Sequence, residues 1–191
     1  MHKLIYYLLL PLLMITSCTS EDREVLAFLG DSIIEGWDVR YSFPTHNTEN
    51  YGISGSGLQY IESMADRFAG KTVVIITGTN DLSKINETGY EKYSQQYVTA
   101  LNNLSAQRII LFPILPRKAN EFTPDINERI QKLNNLIKTE VEKSGINITY
   151  ADGAHEDFLE NETVNMNLFY DGLHPNKYGY EILTYHVYKH L

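Results

Sequence analysis

Cysteine is nearly absent from the chain, and Cys18 is the only one. A single cysteine cannot close an internal disulfide, so no disulfide framework holds this protein together. Basic residues are also in short supply. Sixteen Lys and Arg stand against 24 Asp and Glu, a formal net charge of −8. An acidic surface repels phosphate backbones, which argues against nucleic acid as a partner. No apolar run is long enough to cross a bilayer, a task that takes about 20 residues. Internal repeats and low-complexity stretches are lacking as well. What remains is an ordinary globular composition, 43% hydrophobic and 21% charged. The length of 191 residues suits one domain with a sizeable core.

The longest apolar run, Leu4 to Ile15, follows the basic Lys3 and contains Pro11. It has the length of a signal-peptide core, and a proline within it argues against a buried first helix. Ile15-Thr16-Ser17-Cys18 resembles a bacterial lipobox. That resemblance implies a signal peptide over 1–17 and a lipid on Cys18. A short polar tether over 18–24 would then lead into a domain over 25–191. The expected location is the bacterial cell envelope, lipid-anchored and either periplasmic or surface-exposed, with the membrane as a partner through the anchor. Neither composition nor motif sets an oligomeric state.

Four short runs rich in β-branched residues end in turn residues, as buried parallel strands do. They are Val25 to Leu29, Thr72 to Thr77, Arg108 to Phe112, and Asn147 to Ala151. Asn50 to Gly57 could hold a fifth, at an edge. Helical periodicity lies between them. Leu58, Ile61, Met64, Ala65 and Phe68 share one face, and Tyr90, Tyr93, Tyr97, Leu101 and Leu104 share another. Thr123-Pro124 reads as a cap followed by proline at the first helical position, with Gly145 as the stop. A last helix carries Ile182, Leu183, His186 and Val187. Strands alternating with helices predict a mostly parallel five-stranded sheet in a three-layer α/β/α sandwich. Ligands of such sheets bind beyond the carboxyl ends of the strands.

Those ends carry the residues with chemistry. The first strand closes on Gly30-Asp31-Ser32, where the serine is either a nucleophile or a helix cap. Thr72 to Thr77 runs into Gly78-Thr79-Asn80-Asp81, where the asparagine is either turn chemistry or an amide aimed at an oxyanion. Asp171-Gly172-Leu173-His174 precedes the last helix. Its spacing lets a carboxylate reach the ring of the histidine on the same turn. Asp152-Gly153-Ala154-His155 has the same form and also follows an expected strand.

Gly30-Asp31-Ser32, Gly52-Ile53-Ser54-Gly55, Gly78-Thr79-Asn80-Asp81 and Asp171-Gly172-Leu173-His174-Pro175 occur in that order. Together they resemble the SGNH (GDSL-type) hydrolase family over Val25 to Leu191. The resemblance implies a flavodoxin-like fold and a serine esterase that needs neither cofactor nor metal. Ser32 would be the nucleophile, His174 the general base and Asp171 its orienting carboxylate. The backbone N–H groups of Ser32 and Gly55 and the side chain of Asn80 would form the oxyanion hole. Gly55 is chosen over Gly52 and Gly57 because it closes the Gly-Ile-Ser-Gly match. The later Asp-Gly-x-His is chosen because Leu173, Pro175 and the final helix complete the family pattern. Trp37, Tyr41, His46 and Arg117 are candidates for the pocket border. His46, His186 and His190 show no ligand-like spacing with carboxylates. The implied substrates are small-molecule or glycan esters with short acyl chains, O-acetyl groups on carbohydrate among them. The alternatives are a lysophospholipase or thioesterase acting on longer chains, and a non-catalytic glycan-binding lipoprotein.

Overall fold

The computed structural model describes residues 24–191. The proposed signal segment 1–17, Cys18 and the tether up to residue 23 lie outside the described residues. Five strands form the central sheet: β1 (Val25–Gly30), β2 (Asn47–Gly52), β3 (Thr72–Ile76), β4 (Arg108–Leu111) and β5 (Ile148–Tyr150). All are parallel, in the order β2-β1-β3-β4-β5. This is the flavodoxin-like order, and the sandwich expected from the alternation is present.

Strand side chains alternate between two faces, and two separate cores result. Ala27, Leu29, Val73, Ile75, Ile109 and Leu111 point to one side. There they meet α3 (Leu58–Ser63), α4 (Tyr90–Asn102) and α5 (Ile126–Ser144). Leu26, Phe28, Val74, Ile76, Ile110 and Phe112 point to the other side. They pack against α1 (Ser32–Glu35), α2 (Val39–Ser42) and α6 (Lys177–Lys189). Because both faces are covered, β1 and β3 read as continuous apolar runs rather than as alternating ones, while the edge strand β2 is polar. A small antiparallel ribbon, β6 (Leu159–Glu160) with β7 (Thr163–Val164), lies between β5 and α6.

Several element bounds differ from the sequence reading. The edge strand begins and ends earlier than Asn50 to Gly57. After Gly52 the Ile53 N–H donates to the Gly30 carbonyl (3.0 Å) and the chain turns away. Helix α3 stops at Ser63, although Met64 and Phe68 are buried as their spacing predicts. The N–H groups of Asp66 and Phe68 donate instead to the carbonyls of Asn103 and Leu104, which draws that segment out of the helix. Helix α5 starts at Ile126 with Asp125 at its cap position, not at Thr123-Pro124. The Thr123 hydroxyl and N–H are both engaged with Asn120, so that side chain is not free to cap.

Candidate active site

The strand order reverses direction between β1 and β3, and the crevice at their carboxyl ends is where such sheets bind ligands. β1 reaches that point beside β3 only because residue 30 is glycine. A Cβ there would lie 1.9 Å from the Ile76 carbonyl oxygen. Asp31 follows, fully buried, and its Oδ1 accepts the Ile33 N–H (3.0 Å), capping α1. The capping role considered for Ser32 therefore falls to Asp31. Ser32 becomes the first helical residue, half-buried and facing the crevice. Among the described residues, the other oxygen of Asp31 finds no hydrogen-bond partner. Burial pushes this carboxyl up to about 6, opposed by the Ile33 N–H and by the charge of His174.

Ser32 Oγ lies 3.0 Å from His174 Nε2, although 142 positions separate them. His174 Nδ1 lies 2.7 Å from Asp171 Oδ2. Asp171 Oδ1 accepts the backbone N–H groups of Leu173 (2.9 Å) and His174 (2.8 Å). The His174 N–H, then the His174 ring, holds the Asp171 carboxyl down at about 2. An ionised carboxylate only accepts, so the partners assign the ring proton to Nδ1 and leave the Nε2 lone pair toward the serine hydroxyl. Helix α6 fixes this edge of the crevice. Asn176 caps it, and the Tyr180 hydroxyl donates to the Ile33 carbonyl (2.9 Å), tying α6 to α1.

The opposite edge is built from the turns after β2 and β3. Asn80 Nδ2 donates to the Ser56 carbonyl (2.8 Å), and Ser56 Oγ donates to the Gly30 carbonyl (3.0 Å). Asp81 Oδ2 accepts both the Leu58 N–H (2.8 Å) and the Tyr93 hydroxyl (2.8 Å). The turn that carries Gly55 is thereby strapped to both neighbouring strand ends. Gly55 itself is exposed, with a left-handed φ of +74°. Among the described residues, neither the Ser32 nor the Gly55 backbone N–H has a protein acceptor.

The sequence matches the family model of the GDSL-like lipase/acylhydrolases over residues 28–182. The chain belongs to that family. It is therefore a carboxylic ester hydrolase by class. A GDSL-like lipase from Bacteroides thetaiotaomicron superposes with a TM-score of 0.67 at 23% identity, covering 87% of this chain and 87% of that one. Axe2, an acetylxylan esterase from Geobacillus stearothermophilus, gives 0.65 at 20% identity, covering 87% and 93%. A member of the lipolytic G-D-S-L family from Veillonella parvula gives 0.65 at 19% identity, covering 87% and 96%. At these identities the solved structures establish the fold. No curated protein sequence matches the chain significantly.

A cavity of about 490 Å³ opens beside Ser32 and His174 in this GDSL-type domain, and Trp37, Tyr41, Tyr170 and Tyr180 line it. Trp37 and Tyr41 border it as the sequence suggested. His46 and Arg117 do not line it. The His46 ring sits against Phe43 and Tyr188. Arg117 has its backbone clamped by Asn127 and reaches Thr79 Oγ1 (3.2 Å). His186, which shows no carboxylate partner by spacing, has one in the fold. Its Nε2 lies 2.7 Å from Asp157 Oδ2, in a buried position away from the cavity. Sequence reasoning gave no role to Asp81, Tyr93 or Ser56. Asp81 was visible as the last residue of Gly78-Thr79-Asn80-Asp81. Nothing in the local pattern marks the hydroxyls of Tyr93 and Ser56.

Proposed function

We propose that the protein hydrolyses short-chain acyl esters through an acyl-enzyme on Ser32. The observation that carries this reading is the continuous chain Asp171–His174–Ser32, at 2.7 and 3.0 Å, opening onto a cavity. His174 Nε2 takes the hydroxyl proton as Oγ adds to the ester carbonyl. The same ring then returns that proton to the departing alkoxide as the acyl-enzyme forms. Water, deprotonated by His174, adds to the acyl-enzyme, and collapse expels Ser32 Oγ, which takes that proton back from His174 as the acid leaves. Asp171 holds the ring and supports its positive charge between these steps. The oxyanion is received by the N–H groups of Ser32 and Gly55 and by the Asn80 amide, whose second N–H remains after the bond to Ser56. Two solved Axe2 variants described as catalytic mutants replace an aspartate and a histidine three positions apart, the spacing of Asp171 and His174.

The cavity volume suits small ligands. Tyr41 and Tyr170 stand at its rim, 85% and 77% exposed, as faces on which a sugar ring can stack. These features favour O-acetyl groups on carbohydrate as substrate, in keeping with the acetylxylan esterase that shares the fold. The lipobox-like segment supports a mature protein held in the bacterial cell envelope by a lipid on Cys18, and mass spectrometry of the mature N-terminus tests that anchor. The activity is tested with chromogenic acyl esters of increasing chain length. Wild type should prefer acetate, and Ser32→Ala should lose at least about 10⁴-fold in turnover while unfolding normally. Full activity in a clean Ser32→Ala preparation overturns the assignment.

A further inference from the structure

The cavity that holds Ser32 and His174 has mainly aromatic and acidic walls. Trp37 is stacked on Tyr180, ring centroids 5.7 Å apart, and Tyr41 and Tyr170 add two more aromatic rings. Aromatic faces carry negative quadrupole density and attract cations. Glu35, Asp38 and Glu181 also line the cavity, against a single cation, Lys177. Among the described residues, none of these three carboxylates is in an ion pair. Asp38 spends one oxygen on the Tyr41 N–H (3.1 Å). The Lys177 ammonium, 4.6 Å from the centroid of the Tyr178 ring, offsets one of the three carboxylates and leaves a net charge of about −2 on the lining. Like charges around a concave, partly apolar surface focus their potential inside it. Arg40, which follows Val39 in α2, does not line the cavity.

We propose that this cavity selects esters by the charge of the alcohol portion, taking an ammonium-bearing alcohol over a neutral one and a neutral one over a carboxylate- or phosphate-bearing one. The selection rests on the esterase reading above, since it assumes that the alcohol occupies the cavity during attack by Ser32. It also narrows that reading. Amino or neutral sugars and ammonium alcohols fit the walls, whereas uronic acids and phosphorylated alcohols meet repulsion. The same field disfavours retention of the carboxylate product.

The test uses three acetates of nearly equal size with the purified protein. These are 2-(trimethylammonio)ethyl acetate, its uncharged carbon isostere 3,3-dimethylbutyl acetate, and 4-acetoxybutanoate. Two net charges acting over about 7 Å through water give about a sevenfold bias on each side of the neutral ester. The expected order of kcat/KM is cation, neutral, anion, compressed toward one value at about 0.5 M salt. Glu35→Gln/Glu181→Gln should shrink the cation-to-neutral ratio to about twofold or less. That ratio is taken within each protein, so a general loss of rate does not enter it. If the esters turn over too slowly to follow, the free alcohols are compared as competitive inhibitors of chromogenic acetate hydrolysis, and the same order is expected. An anion handled as well as the neutral isostere, or a bias that survives in the double variant, overturns the proposal and leaves the esterase reading standing. Failure to hydrolyse any acetate, chromogenic ones included, removes the esterase reading and the charge selection with it.

Discussion

Asp152-Gly153-Ala154-His155 and Asp171-Gly172-Leu173-His174 share a pattern and even a backbone feature. Their glycines are left-handed at φ +87° and +86°. They part company at the side chains. Asp171 folds back on its own turn, accepting two backbone N–H groups and reaching the His174 ring. Asp152 points outward to Lys138 Nζ (2.7 Å). His174 is half-exposed at the crevice and faces Ser32, whereas His155 is buried with Nδ1 against the Ile114 carbonyl (2.9 Å). The continuation of the chain makes the difference. After His155 comes a 3₁₀ turn over Glu156–Phe158 that carries the ring into the interior. After His174 come Pro175 and the Asn176-capped helix, while Tyr170 donates to the His174 carbonyl and closes the loop. A tetrapeptide supplies a turn, and the fold around it decides whether its histidine faces the crevice or the interior.

The largest test of this contrast is kinetic. His174→Ala should cost about 10⁴- to 10⁶-fold in kcat, no more in combination with Ser32→Ala than alone, because residues that act as a unit lose together. His155→Ala should keep turnover within a few-fold and lose about 1–3 kcal/mol of stability from a buried hydrogen bond and packing. Initial rates beside thermal unfolding separate the two. A folded, inactive His155→Ala with an active His174→Ala would reverse the assignment. Next in size is Asp171→Asn, expected to cost about 10²- to 10⁴-fold, because an amide cannot both accept from Nδ1–H and support imidazolium charge. Asp152→Asn removes only an exposed ion pair, worth about 0–1 kcal/mol, and should leave kcat unchanged.

How far the sequence alone reaches follows from the same contrast. Four of the five strands were legible because buried parallel strands are short β-branched runs closed by turn residues, as β3 and β4 are, whereas the polar edge strand β2 was expected only three residues further along. The meeting of Ser32, His174 and Asp171 was legible because each sits in a motif at a strand or helix end. The β6–β7 ribbon was not. Its turn uses Asn161 and Glu162 with positive φ, 50° and 64°, where a glycine would have signalled a hairpin. The His186–Asp157 pair was hidden because its partners lie 29 positions apart and meet only through packing. The true start of α5 was hidden because Asn120 captures Thr123, a competition between two local hydrogen-bonding patterns that propensity does not rank.

The two glycines offer a smaller test. An alanine at either position carries a left-handed backbone cost of about 1–2 kcal/mol. At Gly153 the new methyl meets only His186 Cε1 at 3.8 Å. At Gly172 it would lie 2.5 Å from Lys118 Cβ and 3.1 Å from Met166 Cε, so the turn has to move. Gly153→Ala should lower Tm by a few degrees and preserve rate. Gly172→Ala should lower Tm further and cost about 10- to 100-fold in kcat/KM, since Asp171 and His174 both hang from the displaced turn. Equal kinetics in the two variants would mean that the Lys118 contact does not position the site.

The smallest test concerns charge, and a third aspartate gives it a sign. Burial raises Asp31 from 3.8 to about 6, so the native state binds more protons than the unfolded one between those values. Its stabilisation is present below about 4 and is lost as pH rises through about 6, amounting to at most about 3 kcal/mol. Asp171 is the opposite case. Its native value of about 2 lies below 3.8, so the native state binds fewer protons there. That stabilisation is present above about 4 and is lost as pH falls through about 2. It is reduced by solvent because the Asp171 side chain is 54% exposed. Tm measured from pH 2 to 7 should therefore respond in two separate windows. Asp31→Asn, which keeps a capping oxygen, should flatten the decline between about 4 and 6. Asp171→Asn should flatten the acid limb below about 4, by a degree or two, and leave the higher window alone. If Asp171→Asn instead leaves the acid limb as steep as in wild type, the Asp171 carboxylate is not held ionised by its turn.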